Sequence, residues 1–207
     1  MSMLERYKIG LVFAAVLLIQ ACSTVKTMPE ATSTELLPGK VVLVGKFVLN
    51  PPLGKLERNN GSGSSRGIIH LSDPSDYINK VFFSVTPQAA EKIDTSMMSK
   101  QWNNTLDATF GVTYFKQTDG GRSYLNAGMA YVDAELMDKA WLPGFMTYSP
   151  TAEAKAVYIG TVHYTRDDFW NITKVQVIDE YKSAKAEFEK RFGKSMRLEK
   201  ALLRREN

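Results

Sequence analysis

Six or seven short runs of β-branched and aromatic residues, most of them bounded by Pro, Gly, Asn or Asp, set the fold class of this chain. Residues 40–49 (KVVLVGKFVL) stop at Asn50-Pro51-Pro52, where proline has no N–H to give to a ladder. Residues 67–71 and 79–86 (NKVFFSVT) read as strands on either side of the turn-rich 72–76. Residues 108–116 (ATFGVTYFK), the turn Asp119-Gly120-Gly121 and residues 123–132 (SYLNAGMAYV) read as a hairpin, the best such signal in the chain. Beyond breaks at Pro143-Gly144 and Ser149-Pro150, residues 156–165 (AVYIGTVHYT) and 172–178 (ITKVQVI) read as a second pair. Short strands at this spacing predict a mainly β fold, a compact antiparallel sandwich or a strongly bent sheet. With 44% hydrophobic and 23% charged residues, the chain has enough apolar surface to bury a core.

Helices are fewer. Pro87 followed by Gln-Ala-Ala-Glu-Lys-Ile suits a short internal helix running to about Lys100. Residues 179–207 read as C-terminal helices packed on the sheets. Asp179 and Glu180 stand at a helix start, Tyr181, Ala184, Phe188 and Phe192 recur at helical spacing, and Gly193 is a stop. Ser195 then caps a last helix with Leu198, Ala201 and Leu202 as its narrow apolar stripe.

The N-terminal end is of another kind. Arg6 and Lys8 precede an uninterrupted apolar run, residues 9–19 (IGLVFAAVLLI), which ends at Gln20-Ala21-Cys22. A basic start, a short apolar run and a small residue before a break form the layout of a secretory signal peptide, here residues 1–21. At 1.5 Å rise per residue the run covers roughly half of a ~30 Å hydrocarbon core, too little for a permanent span.

Leu18-Ile19-Gln20-Ala21-Cys22 resembles the lipobox of bacterial lipoproteins: aliphatic residues, a tolerant position, a small residue, then cysteine, with no charge in the preceding run. The resemblance covers this end alone. It implies diacylglyceryl transfer to the Cys22 sulfur, cleavage between Ala21 and Cys22, and acylation of the new amino group. A thiolate is the nucleophile that thioether formation needs, and acylation removes a redox-labile thiol from an oxidising compartment. Each buried methylene contributes about 0.8 kcal/mol, so palmitate-length chains anchor permanently. Ser23 lacks the acidic character that the resemblance associates with inner-membrane retention, which points to the outer membrane. Residues 22–39, rich in Ser, Thr, Pro and Glu without an apolar period, read as a lipidated tether reaching a few tens of ångströms, ahead of a β-rich domain over 40–178.

Candidate chemistry is sparse. His70 and His163 are the two histidines, in no metal-ligand spacing with each other or with cysteine, and no residue set points to a metal or a cofactor. His70 lies near Asp73 and Asp76 and serines are plentiful, so a lipid-anchored periplasmic hydrolase with His70 as base is the competing reading. No G-x-S-x-G elbow places a nucleophile for it. The Gly-Ser loop within residues 58–66 lacks the lysine-serine ending of a phosphate cradle. On its strand, His163 alternates with Val157, Ile159 and Thr161, leaving both faces mixed and the histidine satisfied or half-exposed. Arg166-Asp167-Asp168 lacks the oxygen-rich loop and terminal glutamate of a calcium site and reads as a polar turn.

Charge is informative by position. Removal of residues 1–21 takes two basic and one acidic residue from totals of 26 and 22, leaving 24 against 21, or +3. Residues 185–207 hold eight basic and four acidic residues, so the rest of the mature chain is near neutral. After export, nucleic acid is excluded as a partner despite the basic pI. The expected partners are the membrane, through Cys22, and another envelope protein. The expected role is a non-catalytic binding or assembly one in the periplasm or at the outer membrane.

Overall fold

The computed structural model describes residues 26–32, 36–54, 79–92, 102–132 and 139–205. Signal segment 1–21, Cys22, His70 and the expected strand at 67–71 lie outside them, as do residues 93–100 of the expected internal helix, whose preceding residues 87–92 form bends and irregular chain.

Among the described residues, the runs at 40–49, 79–86 and 156–165 became strands with buried side chains on both faces, and 172–178 became an edge strand without a fully buried side chain. One sheet, the helix-bearing sheet, has the order β4 (Thr113–Asp119), β1 (Lys40–Asn50), β7 (Ala156–Arg166), β8 (Ile172–Ile178), with β9 (Leu198–Lys200) also on β7. The other has the order β10 (Arg204–Arg205), β6 (Lys139–Tyr148), β5 (Ser123–Tyr131), β2 (Lys80–Thr86), β3 (Thr105–Thr109). The fold is mainly β, a two-sheet sandwich. Its pairings are antiparallel except β1–β7 and β7–β9, which run parallel. Between the sheets Leu43, Phe83, Leu125, Leu142 and Tyr164 are buried with Phe47, whose ring lies 4.8 Å from Phe83 and 5.3 Å from Tyr114. Burial of each such side chain is worth about 1.5–3 kcal/mol.

The hairpin expected around Asp119-Gly120-Gly121 is not one. The run 108–116 breaks at Gly111, whose φ of 79° turns the chain and whose N–H donates to Phe47 O at 2.7 Å. β3, before the break, pairs with β2, while β4, after it, pairs with β1, and β5 pairs with β2 and β6. The Gly-Gly turn therefore carries the chain from one sheet to the other. Turn chemistry specifies a reversal, not a partner. β4 has two faces to cover, Tyr114 toward the core between the sheets and Phe115 on the outer side, and joining the helix-bearing sheet buries both. Pro143-Gly144, expected as a break, lies inside β6 at a register shift beside Phe145 (φ 51°). β10 pairs only with Met146 and Thr147, so Pro143 stands on an open edge where its missing N–H costs no ladder bond.

α1 (Tyr181–Phe192) covers half of the outer face of the helix-bearing sheet. Its expected stripe, Ala184, Phe188 and Phe192, is buried against Val42, Val44, Phe115, Ala156 and Tyr158. Asp179 Oδ1 accepts the Tyr181 N–H at 3.0 Å, Lys190 and Arg191 sit in the last turn, and Gly193 (φ 81°) returns its N–H to Glu189 O.

The last expected helix is overturned. Once β8 ends opposite Thr161, the remaining edge of β7 lacks a partner, and β9 fills it along Ala156, Val157 and Tyr158. Ala201 and Leu203 then donate to Tyr158 O and Ile159 O at 3.0 and 2.9 Å, and β10 joins the other sheet at β6. A short helix with so narrow a stripe is marginal alone, and open edges offer its backbone better partners.

The segment expected as a free tether is docked over 26–32. Met28 N–H donates to Thr105 O and Ala31 N–H to Phe115 O, both at 2.8 Å, and Gln117 N–H donates to Pro29 O at 2.8 Å. This segment runs from the edge of β3 to the edge of β4, with Met28 and Ala31 buried. Glu30 meets the buried Lys116 Nζ at 2.7 Å, and Asp107 meets the same ammonium at 2.8 Å. Composition hid this because two buried side chains make no period.

Candidate functional site

The other half of the helix-bearing sheet's outer face is shaped by one residue. Between the β1 partners Val44 and Lys46 the β7 register shifts by an extra residue, and Gly160 adopts φ 108° there. A Cβ at Gly160 would stand 2.7 Å from Val177 Cγ1. The bulge reverses the alternation of β7. Val157, Ile159, Val162 and Tyr164 all belong to the core between the sheets, so the outward positions are Tyr158, Thr161, His163 and Thr165. The sequence alternation assigned to His163 thus holds only as far as Gly160. A lone glycine inside a strand pattern is the signal of such a bulge.

Beyond the bulge lies a trough of about 520 Å³, at the end where β1 leaves for Pro52 and Leu53 and where Asn79 enters β2. Its polar lining is Asn50, Asn79, His163, Thr165 and Gln176. β1 and β8 flank His163 with Val48 and Gln176. The histidine is half-buried, and its Nε2 is shielded from solvent without a hydrogen-bond partner. A buried unmatched nitrogen costs about 1–3 kcal/mol. Ser, Cys, Asp and Glu are absent from the described residues lining the trough. The described lining offers the donors and acceptors of amides, a hydroxyl and an imidazole.

The nearest carboxylate to this face that the fold organises is Glu180, just ahead of α1. Its Oε2 takes Lys46 Nζ at 2.5 Å and Thr161 Oγ1 at 2.9 Å, and its N–H donates to Tyr158 Oη at 2.9 Å. Lys46 above all holds the carboxyl below its ordinary value, with burial working the other way and Thr161 adding to the lowering. The arrangement fixes the turn from β8 into α1.

Arg166, Asp167 and Asp168 form the polar end of β7. Asp167 Oδ1 accepts the N–H groups of Phe169 and Asn171 at 2.8 and 2.9 Å, and Oδ2 accepts Asn171 Nδ2 at 3.0 Å. These bonds, Asn171's side chain first, hold its carboxyl below the ordinary range. Arg166 turns inward, donating to Pro51 O at 3.1 Å and Pro52 O at 3.2 Å, with its guanidinium 3.7 Å from the Trp170 ring centroid. It braces the floor of the trough. Among the described residues no three His, Cys, Asp or Glu side chains gather as a metal-ligand set.

Cys22, Ala21 and His70 lie outside the described residues; of the singled-out positions among the described residues, His163 enters the trough. Asn50, Asn79 and Gln176 carried no sequence signal, since three strands far apart in the chain bring them together. Comparison with protein-family models, with curated proteins and with solved structures returned no match.

Proposed function

We propose that this chain is a lipid-anchored envelope lipoprotein, fixed in the outer membrane through Cys22, whose sandwich serves a non-catalytic binding or assembly role. The observation that carries the reading is the end of the apolar run at Ala21-Cys22, so close to the first docked residue, Lys26. Between them stand Ser23, Thr24 and Val25. At about 3.5 Å per residue the chain from Cys22 to Lys26 reaches at most about 14 Å. The lipid therefore holds the sandwich against the membrane surface, with the start of β3 nearest to it. The trough around His163 supports a binding role through the amide, hydroxyl and imidazole groups of its described lining.

Intact-mass measurement of the detergent-extracted protein tests the anchor: loss of residues 1–21 with a mass gain from acyl chains is expected, and an unmodified full chain rejects it. A photo-crosslinker in place of Gln176, in intact cells, tests the binding role. An envelope partner captured there, and released by filling the trough with His163→Trp, is the expected result. Retention of the crosslink in His163→Trp removes the trough from the reading.

A further inference from the structure

The C-terminal strands bring together cations that are far apart in the sequence. Where β10 pairs with β6, a cleft of about 430 Å³ is lined by Arg122, Lys200 and Arg204, with the hydroxyl-bearing Thr147 and Ser149 and an apolar side at Leu202. Among the described residues no carboxylate lines it. Arg122 enters from the turn between the sheets, Lys200 from the end of β9 and Arg204 from β10, so the cleft exists only because the tail crosses from one sheet to the other.

Two of the cations are held in place. Arg122 Nε donates to Thr147 Oγ1 at 3.3 Å and its guanidinium lies 5.0 Å from the Tyr124 ring centroid. Lys200 Nζ is 2.8 Å from Asp179 Oδ2, which stands behind it at the start of α1 rather than in the cleft. Arg204 is fixed through its backbone, opposite Thr147. Asp179 offsets the charge of Lys200, so Arg122 and Arg204 are the guanidinium groups that an anion with several acceptor oxygens meets in the cleft. Guanidinium forks match the oxygens of a phosphate group, and stacking and tethering of Arg122 remove much of the ordering cost.

We propose that this cleft is an anion site for a phosphate ester, with Arg122 and Arg204 gripping the phosphate oxygens and Ser149 donating a hydroxyl. The site stands on the cleft alone and does not require the lipid on Cys22. A soluble phosphate ester and a phospholipid headgroup share this chemistry.

The test uses the full chain in non-ionic detergent. The side-chain Nε–Hε signals of Arg122 and Arg204 are followed by NMR during titration with inorganic phosphate and glycerol 3-phosphate. Phosphatidylcholine vesicles with and without phosphatidylglycerol form the second arm. Saturable movement of both signals is expected, with about tenfold weaker binding in Arg122→Gln or Arg204→Gln and no change in Lys139→Gln, a lysine on the far end of β6. A response to the soluble phosphates identifies a soluble ester. A response confined to phosphatidylglycerol vesicles identifies a headgroup. Silence in both arms overturns the site, as does an equal effect of Lys139→Gln or of sodium chloride at matched ionic strength, because either shows general screening.

Discussion

Both terminal segments lace an open side of the sandwich, yet they do so with different means. Residues 26–32 close the β3–β4 side with isolated bridges, two buried side chains and a carboxylate on a buried ammonium. Residues 198–205 close the opposite side with two short strands, one in each sheet, joined by the N–H groups of Ala201 and Leu203. The N-terminal lacing leans on one charge cluster at Lys116, whereas the C-terminal one rests on ladder bonds with Leu198 and Leu203 buried beneath. A sandwich with unclosed edges is exposed to pairing with other chains, and these two segments cover the edges of β3 and β4 and part of those of β6 and β7.

The comparison breaks most directly at the C-terminal side. Truncation after Lys194 removes β9 and β10 and uncovers the first half of β7. Two buried leucines at about 2–5 kcal/mol each set a loss of at least about 4 kcal/mol, large against ordinary domain stability. Urea unfolding followed by tryptophan fluorescence reads it. A truncated chain with an unchanged midpoint demotes the tail from a structural lacing to an ornament. Single substitutions sharpen the point. Leu203→Ala is expected to cost about 2–5 kcal/mol and Leu202→Ala nearer 1, because Leu203 is only 4% exposed while Leu202 is partly buried. The helical reading of the tail put the stripe on Leu198, Ala201 and Leu202, so the two leucines separate helix from strand.

That reversal shows what the sequence carried. Runs 40–49, 79–86, 156–165 and 172–178 and the stripe of α1 were legible because each records a local periodicity. Partner choice was not. The turn at Gly120-Gly121 announces a reversal, while the assignment of β4 to one sheet and β5 to the other depends on Phe115 meeting α1, a residue dozens of positions later in the chain. The trough was half legible. His163 stood out as a residue type, but a simple alternation along its strand misses the bulge at Gly160 that aims it outward, and Asn50, Asn79 and Gln176 look like ordinary strand-end polar residues until three strands bring them together. The docked N-terminal segment was silent, since Met28 and Ala31 are a single pair three residues apart, too little to record a period.

The N-terminal lacing is expected to yield a middle-sized effect. Met28 is 2% exposed, and Met28→Ala is expected to cost about 2 kcal/mol, at the low end of such truncations because the segment is a single layer at an edge. Amide exchange locates the loss. Protection of Met28 and Ala31 is expected to fall before that of Leu203, and a uniform fall across both segments merges the two lacings into one cooperative unit.

The smallest effect is electrostatic and belongs to the C-terminal side alone. Asp179 accepts Lys200 Nζ at 2.8 Å and the Tyr181 N–H at 3.0 Å, so one carboxylate ties β9 to the first turn of α1. Lys200 first, then that N–H, holds its folded value below the ordinary 3.8. A carboxyl depressed on folding contributes stability above its unfolded value and loses it as pH falls through the folded one. Asp179→Asn is therefore expected to lower the protection of the Ala201 and Leu203 amides at about pH 7 and to lower it less in acid, as the pH falls through the folded value and the native carboxyl takes up its proton. Met28 and Ala31 serve as the internal reference, since Asp179 touches neither. The same loss at both pH values assigns the effect to the side chain's shape rather than its charge, and a matching loss at Met28 means that the two lacings open together.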